Sequence, residues 1–254
     1  EKNHDFGAMY RPEFEHDNCG FGLIAHMDGV PSNGLVETAI ESLNRMTHRG
    51  AIAADGKSGD GCGLLMKQPK GFMQAIAAEQ GYTLNQNHAV GMVFLNQDEE
   101  KAASARSLLE QNLSAQGLEV LGWRIVPVDA ENGCGDHALA ILPQIEQIFV
   151  NAPTDMDEIH LERALFIARR QTEKVVEPED EFFYIPSLSA RVISYKGLVM
   201  PEYLPIFYKD LKDKRFESAL CVYHQRFATN TLPQWRLAQP FRQLAHNGDR
   251  KSVV

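Results

Sequence analysis

Residues 19–28 read CGFGLIAHMD, and the rest of the chain is understood from them outward. The run is apolar and predicts a β-strand behind a polar, acidic leader, EKNHDFGAMYRPEFEHDN, at 1–18. It begins on Cys19. A thiol is the best neutral-pH nucleophile among side chains, provided a base or a depressed pKa activates it. Gly20 behind it lets a backbone or a substrate come close. By itself, though, a Cys-Gly pair at the head of a strand reads more readily as a buried cysteine beside a glycine bulge. Cys62, Cys134 and Cys221 carry that plain reading as well.

Downstream, 33–46 predicts a helix capped by Asn33, with Leu35, Val36, Ala39, Ile40 and Leu43 on one face. HRGAIAADGKSGDGCG at 48–63 predicts a Gly- and Asp-rich loop leading into a short strand, LLMK. HAVGMVFL at 88–95 and 118–128 predict strands. Between them, 98–115 predicts a helix facing inward through Ala105, Leu108, Leu109 and Leu113. Thr154 and Asp157 suggest a capping box before a helix with Leu161, Ala164, Leu165 and Ala168. VVEPEDE follows as a loop. FFYIPSLSARVISYKGLVM predicts one or two strands around a turn at Lys196-Gly197, and 217–225 a further strand. Strands at both ends and helices between them predict mixed layers of helix and sheet.

The composition excludes several classes. Of 254 residues, 44% are apolar and 23% charged, as in a globular protein rather than a disordered tail or a disulfide scaffold. The formal charge of −9 disfavours nucleic acid, which needs a basic face. The four cysteines form no C-x-x-C pair, so neither a zinc ribbon nor an iron–sulfur run is visible. No apolar run is long enough for a bilayer, and the leader lacks a signal-peptide core, so the expected compartment is cytoplasmic.

Two further motifs carry chemistry. Arg49 stands between His48 and Gly50 where the chain must turn, and GDGCG lacks the ending of a phosphate-binding P-loop. In HQRFATNTLPQWRLAQPFRQLAHNGD, residues 224–249, Arg226 offers a planar fork for a carboxylate. Asn247-Gly248 reads either as a type I′ hairpin turn or as an oxyanion hole of one side-chain and one backbone donor.

Taken in order, Cys-Gly, HRG, HQRFATNT and AHNG resemble the class II glutamine amidotransferases, which are N-terminal nucleophile hydrolases. DNCGFGLIAHMDG, LNRMTHRGAIAADGKSGDGCG and YHQRFATNTLPQWRLAQPFR with AHNG are similar to the amino-terminal glutaminase domains of the glutamate synthase large-subunit family. The likeness runs from about Met9 to Gly248. It implies an α+β fold, the four-layer αββα sandwich, incomplete at its C-terminal side.

The resemblance also implies roles. Residues 1–18 match a propeptide whose removal makes Cys19 the amino terminus of a domain over 19–254. The liberated α-amine then serves as base, so His48, His224 and His246 keep structural hydrogen-bonding roles. Asn247 and Gly248 match the oxyanion donors, and Arg49 the arginine supporting the nucleophile. Arg226 and Thr229 match positions that bind glutamine. Trp235, Gln239 and Pro240 match the pocket framework. No metal or cofactor is implied for these residues. FMN, a 3Fe–4S cluster, the rest of the large subunit and a reductase small subunit are implied for the larger assembly. The family aspartate that takes the substrate amine lies beyond the HNG motif and has no counterpart here. A truncated, non-catalytic product is therefore the alternative expectation, with little or no glutaminase activity for this chain alone.

Overall fold

The computed structural model describes residues 20–50, 52–53, 55–225 and 233–242. The strands are β1 (Gly20–Ala25), β2 (Ser58–Lys67), β3 (His88–Leu95), β4 (Glu119–Ile125), β5 (Gln144–Asn151), β6 (Tyr184–Ser189), β7 (Val192–Val199) and β8 (Leu220–Gln225). The α-helices are α1 (Asn33–Asn44), α2 (Lys70–Glu79), α3 (Glu99–Ala115), α4 (Ala130–Gly133), α5 (Asp136–Ala140), α6 (Glu158–Val176) and α7 (Leu204–Phe207). Two antiparallel sheets result, ordered β1-β8-β2-β7 and β4-β5-β3-β6. This is the expected α+β architecture. Helix α1 lies on β1 and β8 of the first sheet, while α3 and α6 pair with each other on the second.

Two apolar cores explain the layering. In β3 every residue is buried, because the strand is central and both its faces are covered. Val90, Met92 and Phe94 enter a core shared with Leu64 and Met66 of β2, with α1 and with α2. Ala89, Val93 and Leu95 face the other way, onto Leu109 and Leu113 of α3 and Leu161 and Leu165 of α6. Burying a leucine fully contributes about 1.5–3 kcal/mol, so each such stripe holds its helix firmly. On β1, by contrast, the alternate residues Phe21 and Leu23 stand 74% and 61% exposed.

Several local expectations are corrected. Helix α1 is capped by Ser32, whose Oγ accepts from the Leu35 N–H at 3.2 Å; the Asn33 amide instead donates to the Phe216 carbonyl at 3.1 Å. Asp157 itself caps α6, its carboxylate accepting from His160 N–H at 2.8 Å, and the helix runs on through Val176. The second half of the Gly-rich loop is strand, β2 beginning at Ser58. Lys196-Gly197 is no turn: both lie within β7, and the chain reverses at Ala190-Arg191, where Ser189 Oγ accepts from Arg191 N–H at 2.9 Å. Gly197 is required by packing. A β-carbon there would stand 2.4 Å from Cζ3 of Trp235.

A buried polar network ties the sheets together. The Arg124 guanidinium of β4 grips Asp210 with two bonds of 2.9 and 2.8 Å. The Tyr195 hydroxyl of β7 donates to Asp210 at 2.9 Å and accepts from Gln147 of β5 at 2.9 Å. Arg124 also donates to Gln147 at 2.8 Å.

Candidate active site

Cys19, Arg226, Thr229, Asn247 and Gly248 lie outside the described residues, as does the side chain of Arg49. Their sequence neighbours are described, and they converge. Gly20 pairs with Gln225, Gln225 with Cys62, and Cys62 with Gly197, in one rung across all four strands of the first sheet. Gly20 follows Cys19, and Gln225 precedes Arg226. Gly50, which follows Arg49, packs on the same rung: a β-carbon on it would stand 2.0 Å from Gln225 Nε2. Three separate stretches of sequence thus meet at Gln225.

The approach of Arg49 is built locally. Thr47–Arg49 form a single 3₁₀ turn that continues α1, closed by Gly50 N–H donating to the Thr47 carbonyl at 3.1 Å. Beyond it, Ile52 bridges Gly59, and Gly56 turns the loop at φ +70°. That φ favours glycine. Asp55 ties the loop down. Its carboxylate accepts from Ser58 Oγ at 2.6 Å, from Ser58 N–H at 2.7 Å, from Lys57 N–H at 3.0 Å and from His137 N–H at 3.1 Å. These bonds, Ser58 first, hold its pKa well below the ordinary carboxylate range.

Pro233, just after the stretch holding Arg226 and Thr229, meets this loop. With Ile52, Asp55, Asp60, Asp136 and His137 it lines a cleft of about 490 Å³. From there 233–242 runs over the sheet as a strap. Trp235 donates its indole N–H to the Ala138 carbonyl at 3.1 Å, meets Phe94 edge-on and lies tilted against Phe207. Lys196 holds the middle of the strap, and Arg242 forms an ion pair with Glu162.

Gln225 and Lys196 escaped sequence reasoning. Gln225 is 1% exposed, and its Oε1 is buried with no hydrogen-bond partner among the described residues. Its only signal was its place beside Arg226. Lys196 sat in what read as a turn. The thiols of Cys62, Cys134 and Cys221 are buried, and burial pushes each pKa up, to about 12 for Cys134 and Cys221. None of these three suits a nucleophile. Among the described residues no group of three or more His, Cys, Asp or Glu could hold a metal ion. No helix among them is long and apolar enough to cross a membrane.

Comparison with known proteins adds the family. The model of the class-II glutamine amidotransferases matches residues 19–253. The chain is 46% identical over 247 residues to the glutamate synthase (NADPH) large chain of Azospirillum brasilense, covering 96% of this chain and 16% of that protein. It is 39% identical over 243 residues to the large chain of the same name from Bacillus subtilis, covering 95% and 16%. It is 40% identical over 243 residues to ferredoxin-dependent glutamate synthase 1 of Arabidopsis thaliana, covering 94% and 15%. The chain thus spans about a sixth of the length of these relatives.

Proposed function

We propose, since the chain belongs to the class-II glutamine amidotransferases, that it carries out the glutaminase half-reaction of a glutamate synthase, with Cys19 as the nucleophile. The observation that supports this is the rung Gly20–Gln225–Cys62 with Gly50 against it, which draws the sequence neighbours of Cys19, Arg49 and Arg226 to one end of one sheet.

Removal of residues 1–18 frees the α-amine of Cys19. An α-amine titrates at about 7.7–8.0 and a thiol at about 8.5, so the amine takes the thiol proton near neutral pH. The sulfur attacks the side-chain amide carbon of glutamine. The oxyanion that forms accepts from the Asn247 amide and the Gly248 N–H, donors of a kind worth roughly 10²–10³ in rate. The protonated α-amine passes its proton to the leaving nitrogen, ammonia departs, and a thioester remains. Water, activated by the same amine, hydrolyses it to glutamate. Arg226 pairs with the substrate α-carboxylate, Thr229 contacts substrate beside it, and Arg49 supports the nucleophile end.

In this reading ammonia is passed on to aminate 2-oxoglutarate. That half, its FMN and 3Fe–4S cluster, and a reductase small subunit are assigned to polypeptide outside these residues, in the cytoplasm. The three described cysteines are buried, and among the described residues no group of three or more His, Cys, Asp or Glu could hold a metal ion. In the natural chain carrying this sequence, Cys19→Ser is expected to abolish ammonia release from glutamine. A diazo-ketone glutamine mimic is expected to label Cys19, with intact mass showing loss of 1–18. Undiminished ammonia release by Cys19→Ser refutes the assignment.

A further inference from the structure

A cavity of about 670 Å³ opens at the far end of the first sheet, where β8 begins and β2 ends. Leu220 in its wall lies five residues along β8 from Gln225, about 17 Å from the rung that gathers the candidate active site. Gln68 lines this cavity and is only 5% exposed. Its Nε2 donates to the Ser189 carbonyl at 3.1 Å, while its Oε1 is buried with no hydrogen-bond partner among the described residues. Reversing the amide would set two acceptors against each other, so the free position is an acceptor. A buried acceptor of this kind calls for a donor.

The same wall holds the head of α2, through Lys70 and Gly71. Pro69 gives that helix no side-chain cap, and its first turn carries no acidic residue. Among the described residues nothing accepts from the N–H groups of Gly71 and Phe72, and a β-carbon on Gly71 would meet nothing within 4 Å. Free N–H groups at a helix N-terminus facing open space favour an anion. The charged side chains add a pattern. Arg191 is paired with Glu158, and Arg215 with Asp213 and Glu79. Of the cavity's charges this leaves Lys67, Lys70 and Glu217 without an ion pair among the described residues.

We propose that this cavity binds an acidic α-amino acid, at a second site separate from the candidate active site. Two carboxylates and one ammonium mirror the two lysines and one glutamate left unpaired. One carboxylate accepts from Gly71 and Phe72 N–H beside Lys70, and the other meets Lys67. The ammonium donates to Gln68 Oε1 and faces Glu217. The proposal draws on described residues alone and stands whether or not Cys19 is the nucleophile.

The test is amide exchange of the full natural chain with and without L-glutamate, read on peptides covering 67–72 and 189–192. A ligand at ten times its Kd is expected to slow exchange there roughly tenfold. Sodium acetate and methylammonium chloride, each offering one half of the recognition, are expected to do far less. Lys70→Glu should abolish the protection without unfolding α2, since an acid suits the first turn of a helix. Lys101→Glu makes the same charge change in the first turn of α3, outside the cavity, and should leave the protection intact. No protection by L-glutamate, or equal protection in Lys70→Glu, overturns the proposal, and so does acetate protecting as well as L-glutamate. Occupation of the candidate active site by the same probe would register at Gly50 and Gln225 and would not depend on Lys70.

Discussion

Replacing Asp210 by asparagine removes one charge from the buried network at nearly constant shape. Arg124 and Asp210 have side chains 11% and 3% exposed, so the guanidinium left behind has little access to water. Asparagine also presents an NH₂ where a carboxylate oxygen accepted. In either amide orientation that NH₂ faces a donor: the Arg124 guanidinium on both sides, and the Tyr195 hydroxyl on one. Removing one partner of a buried ion pair costs about 3–5 kcal/mol. That is a large share of the roughly 5–15 kcal/mol by which domains are stable. The network joins β4 and β5 of one sheet to β7 of the other, so the loss should be felt in both. Native-state amide exchange in the full natural chain measures it. The opening free energy of β4, β5 and β7 amides should drop by about 3–5 kcal/mol, roughly two to three and a half powers of ten in exchange rate. Replacing the pair together, Arg124→Met with Asp210→Leu, should recover part of the loss, since no buried charge is stranded. Recovery stays partial because the Tyr195 hydroxyl loses its acceptor. A drop under about 1 kcal/mol for Asp210→Asn, or a double variant less stable than the single one, refutes the reasoning.

Three further outcomes are expected. His88 is 2% exposed, its Nδ1 donates to the Asn85 carbonyl at 2.7 Å and its Nε2 is buried with no partner among the described residues; burial, chiefly, lowers its pKa from 6.5. The unfolded chain therefore takes up a proton first as pH falls below about 6.5, so the opening free energy of β3 amides should decline with acidification, by at most about 1.4 kcal/mol per pH unit. The decline should vanish in His88→Gln. A thiol reagent applied to the native protein should leave Cys62, Cys134 and Cys221 unmodified, since each is buried and its pKa is raised; peptide mass mapping checks this. Gly197→Ala should push the Trp235 indole off β7, costing about 1–3 kcal/mol by overpacking, with a changed tryptophan fluorescence as the readout.

Strand β3 shows how far local pattern reached. HAVGMVFL was legible as strand from composition, and its ends were right, because a central strand buried on both faces is a continuous apolar run. The inward stripe of α3 was legible in the same way, from Ala105, Leu109 and Leu113. Lys196-Gly197 shows where pattern failed. The pair has turn chemistry, yet the strand continues through it, since Gly197 makes room for Trp235 and Lys196 meets carbonyls some forty residues downstream. No local window contains those partners.

The sequence by itself determined the family, through the order and spacing of Cys-Gly, HRG, HQRFATNT and HNG, and most of the elements, through periodicity that each segment carries alone. The tertiary structure decided what sits beside what. It brought Gly20, Gly50 and Gln225 to one rung, buried Gln225 and Lys196, and pinned 233–242 across β7. The reason is physical. Strand propensity and helix faces are set by neighbours a few residues apart. The register of β1 on β8, and the burial of a lysine against distant carbonyls, are set by contacts that exist only once the sheet has closed.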